Sequence, residues 1–197
     1  ITEGAHYALC DIRAAKIKDG QKVLINGATG AIGSAAVQLV KYIGAEVTAV
    51  CKTEHMELIK SLGADVVVDY TKEDFTLLSE KFDVVFDAVG KNSFKRCKPL
   101  LKRKGIYMST ELGYMSQNIF LALITPLLGG KKVLFPIPSI SKEDVNFLKK
   151  LVEQGKYKPV IDRHYPLEQI VEAYKYVETG QKTGNVILDL GTSKQEN

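Results

Sequence analysis

Apolar and polar positions follow two rhythms along this chain, and the rhythms take turns. Val23-Leu24-Ile25 is a short apolar run closing on Asn26 and a glycine, as expected of a parallel strand buried on both faces. After it, Ile32, Ala36, Leu39, Val40 and Ile43 fall on one face of a helix that Gly44 stops. The exchange repeats with a strand over 46–51, a helix over 55–62 stopped by Gly63, and strands over 66–70, 84–89, 105–109 and 132–135. Helical segments lie between several of these, and no Asn-Gly or Asp-Gly hairpin turn joins any pair. Six strands alternating with helices predict an α/β fold: a doubly wound, parallel, Rossmann-type sheet with helices on both faces.

The two ends carry additions. A helix over 3–15 leads in, and after the sixth strand Ser141 caps a helix with Glu143 and Asp144 in its first turn. A βαβ-like appendage follows: a short strand at Val160-Ile161, a helix over 167–179 and a final strand over 185–190. That last strand has no evident partner. The chain therefore divides into a Rossmann unit over 1–158 and a C-terminal segment over 159–197.

Composition narrows the class. Hydrophobic residues make up 45% and charged residues 25% of the 197, the balance of a globular protein with a real core. The longest apolar run, over 119–128, is broken by Thr125 and Pro126 and is too short to span a bilayer. A formal charge of +4, with lysines adjacent only at Lys131-Lys132 and Lys149-Lys150, argues against nucleic acid as a partner. Cys10, Cys51 and Cys97 are odd in number and far apart, so neither a disulfide framework nor a zinc knuckle is expected; reduced thiols and a cytoplasmic location are. The chain opens on Ile1 with no secretory leader and is expected to be a piece of a longer protein.

The chemistry sits at GATGAIG, between the first strand and the first long helix. A strand-to-helix turn over a pyrophosphate needs a tight corner (Gly27) and close backbone approach (Gly30); helix-on-strand packing accounts for Gly33. Thr29 lies within the turn, and the free N–H groups around Ala31 and Ile32 face a phosphate. The second strand ends in Lys52-Thr53 with no acid to take the ribose hydroxyls, which favours a 2′-phosphate and hence NADP(H), although Glu54 follows. None of the nine tyrosines has lysine four residues on, against a short-chain reductase, and Ile25-Asn26 replaces the acid usual before a methyltransferase glycine loop. His6, His55 and His164 have no metal-ligand spacing, so no metal site is expected.

The stretches GATGAIGSAAVQLVKYIGAEVTAV, ELIKSLGADVVVDY, FDVVFDAVG and GKYKPVIDRHYPLEQIVEAYKYVETGQKTGNVILDL together resemble the C-terminal part of zinc-independent medium-chain dehydrogenase/reductases, the quinone oxidoreductase-like branch. That resemblance implies hydride transfer between NADP(H) and a quinone, enone or carbonyl substrate. It places Lys52 and Thr53 at the adenosine phosphate, Tyr70 against the adenosine, Ala88, Val89 and Gly90 beside the nicotinamide ribose, and Ser109 and Thr110 at the end of the fifth strand. It also implies that residues 159–197 complete a domain preceding this chain. Asn185, where relatives often have lysine, and Glu54 bear on cofactor preference. No catalytic residue can be named. The expected partners are a small-molecule substrate and a second copy of the chain across the sheet edge, with no membrane or nucleic acid. Two other classes stay open: a fragment of a zinc-dependent alcohol dehydrogenase with its ligands elsewhere, and a non-catalytic NADP(H)-binding module.

Overall fold

The computed structural model describes residues 3–139 and 141–191. Strands β1 (Lys22–Asn26), β2 (Glu46–Cys51), β3 (Val66–Asp69), β4 (Phe82–Asp87), β5 (Leu101–Ser109) and β6 (Lys132–Leu134) form one sheet in the order β3-β2-β1-β4-β5-β6. Every pairing is parallel. This is the doubly wound order, in which the chain reverses direction across the sheet between β1 and β4 and leaves a crevice at the strands' carboxyl ends.

Alternation within β1 divides the core. Val23 and Ile25 face one side and pack with Leu9 and Ile12 of α1 (Glu3–Ala15), Leu39 and Val40 of α2 (Ala31–Ile43), and a later helix. Leu24 faces the other side, among Phe82, Val85, Leu100 and Tyr107. Both faces are covered, which is why the central strands read as unbroken apolar runs. Helices α3 (Met56–Ser61), α4 (Phe94–Cys97), α5 (Gln117–Ile124) and α6 (Lys142–Glu153) complete the unit; Leu148 and Leu151 of α6 belong to the α1 and α2 side. Among the described residues no helix is long and apolar enough to cross a membrane.

Two sequence expectations change. β5 begins at Leu101 rather than 105, because exposed Lys102, Arg103 and Lys104 mask its first half. The final strand is not unpartnered: β8 (Asn185–Asp189) pairs in parallel with β7 (Ile161–Pro166), and α7 (Ile170–Glu178) is the crossover between them. β7 carries Asp162, Arg163 and His164 and has no fully buried residue, so of its length only Ile161 falls in the apolar pair that predicts a strand there. A further parallel bridge joins Gly184 to Gly30 and ties this small unit to the glycine turn. Residues 192–197 of the C-terminal segment lie outside the described residues.

Candidate cofactor-binding site

The glycine turn caps β1 and opens α2. Gly27 has φ +79°, and a Cβ there would lie 1.8 Å from Cγ2 of Val89. A Cβ on Gly33 would lie 2.1 Å from the Gly27 carbonyl oxygen. Both are required by the chain's own packing. Gly30 differs: the nearest atom to a Cβ there is the Gly27 oxygen at 3.6 Å, an ordinary contact. The space above it is open. Gly30 is also the N-cap of α2, and no side chain caps that end, so the first-turn amides beside half-buried Ala31 and Ile32 lack a side-chain cap.

A cleft of about 380 Å³ lies over this turn. Gly27, Thr29 and Gly30 form one wall, Ala88 and Val89 another, with Tyr70 at its end. The loop carrying Ala88, Val89 and Gly90 is held from beneath by Asp87, which is fully buried. One carboxylate oxygen accepts from Asn26 Nδ2 at 2.9 Å and from the Val89 and Gly90 amides at 3.3 and 3.2 Å. The other accepts from the Asn92 amide at 3.0 Å and the Tyr107 hydroxyl at 3.4 Å. Burial, then the Asp87 charge, pushes the Tyr107 phenol upward, so it stays a neutral donor. Asp87 is thus a positioning residue for the cleft wall.

Lys52 and Thr53 stand apart from this cleft. Lys52 is exposed and makes no ion pair among the described residues. Thr53 donates its hydroxyl to Asp69, so the proton a phosphate would use is already committed. Asp69 also accepts from the Thr71 amide at 2.9 Å and hydroxyl at 2.7 Å. The hydroxyls of Thr53 and Thr71 hold its pKa down at about 2. Glu54 turns to His55, with 3.2 Å between carboxylate and Nε2.

Ser109 and Thr110 line a separate space of about 150 Å³, together with Tyr7 and Asp11 of α1 and the chain that follows β6. Asp11 is only 4% exposed, and burial pushes its carboxyl up to about 7. Its position is legible in retrospect: it lies three residues after Ala8 and four before Ala15, on the buried face of α1. Lys182 was also missed by sequence reasoning. It lines the main cleft, and its Nζ donates to the Gly184 carbonyl at 2.7 Å, while the Gly184 amide donates to Thr29 O at 2.7 Å. Nothing local marks it, because only the fold of the C-terminal unit brings it there. Among the described residues no group of three or more His, Cys, Asp or Glu side chains is placed to hold a metal ion.

A family model described as zinc-binding dehydrogenase matches residues 62–188. The chain belongs to that family, in the quinone oxidoreductase-like branch of the medium-chain dehydrogenase/reductases. It is 35% identical over 181 residues to a 2-methylene-furan-3-one reductase of Solanum lycopersicum, covering 90% of this chain and 42% of that protein. It is 34% identical over 178 residues to an NADPH-dependent alkenal/one oxidoreductase, chloroplastic, of Arabidopsis thaliana, covering 86% of this chain and 40% of that protein. Its fold matches the quinone oxidoreductase from Coxiella burnetii with a TM-score of 0.87 at 26% identity, covering 97% of this chain and 59% of that one. The chain thus spans about two fifths of the length of those two curated relatives.

Proposed function

We propose that this chain is the NADP(H)-binding part of an oxidoreductase that passes hydride to the electrophilic carbon of an enone, quinone or carbonyl substrate. The observation that carries the reading is Gly30: the one glycine of the turn not required by internal packing, at an uncapped helix N-terminus that opens on a cleft. That arrangement fits a pyrophosphate, whose charge offsets the helix dipole and whose oxygens take the first-turn amides. Tyr70 packs against the adenosine and Lys52 answers the 2′-phosphate. The loop over 88–90 and the ends of β5 and β6 receive the ribose and nicotinamide. When bound, the nicotinamide supplies the hydride; the protein orients it and excludes water.

Relatives named for NADPH-dependent reduction of alkenals and enones, and for quinone reduction, support this substrate class. The hydride step is read as zinc-free, and chelation of the full-length protein tests that. Titration of this chain with NADPH and NADH, followed by nicotinamide fluorescence, tests the cofactor. Micromolar or tighter binding of NADPH is expected; binding of neither dinucleotide overturns the reading.

A second copy of the chain is the proposed protein partner. Among the described residues β6 pairs only with β5, and α5 beside it leaves Phe120 62% and Leu123 69% exposed. Edge-to-edge pairing of two β6 strands would cover these residues. Sedimentation showing a monomer for the full-length protein at micromolar concentration would count against it.

A further inference from the structure

Among the described residues four aspartates are buried, and three of them have partners for their charge. Asp69 accepts from its threonines, Asp87 from the loop amides of residues 89, 90 and 92, and Asp144 pairs with Arg13. Asp11 is the exception. It is as buried as the others, yet among the described residues no hydrogen bond or ion pair reaches its carboxyl.

The neighbourhood explains the lack. Asp11 lines the space it shares with Tyr7, Ser109, Thr110 and the chain over 135–138. Pro136 and Pro138 have no N–H to offer. Arg13, two residues along α1, is turned to Asp144. Tyr7 is the other titratable group lining the space, and β5 and the chain after β6 bring no charged side chain to it. Burial alone therefore sets the state of the carboxyl, which stays protonated up to about pH 7. A protonated carboxyl is a hydrogen-bond donor, and this one has no acceptor on the chain. A buried donor without an acceptor costs stability, so its place at the edge of a cavity points to a ligand oxygen.

Position narrows the ligand. The space lies at the carboxyl end of β5, and the Thr110 amide donates to the Asp87 carbonyl at 3.2 Å. That bond joins it to the base of the loop over 88–90, where the proposed function puts the nicotinamide ribose.

We propose that Asp11 is the general acid of the reduction, donating to the carbonyl oxygen of the substrate and giving it a proton as hydride arrives. The inference rests on the hydride-transfer reading above. With an enone, hydride forms a C–H bond at the β-carbon, and the C=C electron pair shifts to leave an enolate. The enolate oxygen takes the Asp11 proton, and the resulting enol relaxes to the ketone in water. The substrate gains the two electrons that the nicotinamide loses, and the Asp11 carboxylate recovers its proton from solvent. With a simple carbonyl, hydride goes to the carbonyl carbon and the same proton completes an alcohol. A neutral carboxyl held as a donor in an apolar site suits an oxygen that becomes negative during the reaction.

The test uses the full-length protein as wild type, Asp11→Asn and Asp11→Glu, with NADPH and an enone. Rates are followed across neutral pH, NADPH affinity is titrated separately, and circular dichroism verifies folding. Wild-type kcat should fall as pH rises through about 7, because the carboxylate cannot donate and repels the forming oxyanion. Asp11→Asn should lose about a hundred- to ten-thousandfold in kcat, lose that pH limb, and bind NADPH as wild type does. Asp11→Glu should recover part of the rate together with the limb. Unaltered kcat in folded Asp11→Asn overturns the inference and leaves the hydride reading standing. So does weaker NADPH binding with kcat intact, which would make Asp11 a cofactor contact. Should Asp11→Asn misfold, Asp11→Ser and the wild-type profile carry the test, and a wild-type kcat flat through pH 7 overturns it. Wild type that oxidises NADPH with no enone, quinone or carbonyl removes both readings.

Discussion

Thr53, after the end of β2, donates its hydroxyl to Asp69, at the end of β3. The bond ties two neighbouring strand ends together and commits the Thr53 hydroxyl to a carboxylate of the chain itself. Asp69 stays ionised at any working pH and is satisfied by its threonines. Lys52, exposed beside them, makes no ion pair among the described residues and is the cation proposed to meet a 2′-phosphate.

Lys52→Ala should therefore weaken NADPH binding by about 1–3 kcal/mol, the range of a charge-assisted phosphate contact, and leave NADH nearly unchanged. Wild type should prefer NADPH. Calorimetric titration of both proteins with both cofactors checks the prediction, and a preference of wild type for NADH by about tenfold or more, some 1.4 kcal/mol, sinks the NADP(H) reading.

Gly30 and Gly33 should respond to substitution in opposite ways. A branched side chain at Gly30 enters open space over the turn, so Gly30→Val should fold and lose most dinucleotide affinity. At Gly33 the new Cβ would fall 2.1 Å from the Gly27 oxygen, and the turn itself must move. Gly33→Val should cost stability, about 1–3 kcal/mol or more as for other overpacked sites. Chemical denaturation separates the two; equal destabilisation by both, or unaltered cofactor binding in Gly30→Val, contradicts the assigned roles.

These contrasts show where the sequence was legible. Alternating rhythms disclosed the sheet because both its faces are buried, and the glycine turn was legible because strand and helix flank it. The roles of Gly27 and Gly33 follow from local backbone geometry. Lys182 and Asp69 escaped notice for a different reason: each reaches the site from another part of the fold. β7 was legible only at its start, in the apolar pair Val160-Ile161, because a strand without fully buried residues carries little apolar signature beyond that. The Asp87 network was hidden too, since a strand-end acid reads the same whether it faces solvent or holds three loop amides.

Asp11 gives the chain a pH dependence with a definite sign. Its carboxyl is raised by burial from an ordinary 3.8 to about 7 in the folded protein. Folding therefore takes up a proton between these two values. The stability contributed by this raised pKa is fully present below about pH 4, falls as pH rises toward 7, and then levels off. The cost of ionising the group when folded is on the order of 4 kcal/mol by about pH 8. Asp11→Asn should flatten the curve and gain stability relative to wild type most strongly above neutrality. Asp69 works the opposite way, but only in acid, where its depressed pKa of about 2 makes protonation destabilising. Urea denaturation across this range decides; a wild-type curve rising steadily toward pH 8, unaltered in Asp11→Asn, would mean the carboxyl is hydrated.

The chain by itself should bind NADPH and turn over almost nothing. It spans about two fifths of the length of the two curated relatives described above. The space beside Ser109, Thr110 and Asp11 is small, about 150 Å³. On the proposed function, the surface that holds a substrate against the nicotinamide and keeps water out lies in the part of those relatives' length that this chain does not cover. Orientation alone can account for about 7–11 kcal/mol of barrier, so its loss takes the rate close to background. The assay is NADPH oxidation with a panel of enones and quinones, run on this chain and on the full-length protein, each before and after chelation. The full-length protein should be active and insensitive to chelator. Strong turnover by this chain alone would mean that the substrate site lies wholly within these residues. Activity of the full-length protein that disappears on chelation and returns with zinc would put the reaction on a metal-polarised carbonyl instead.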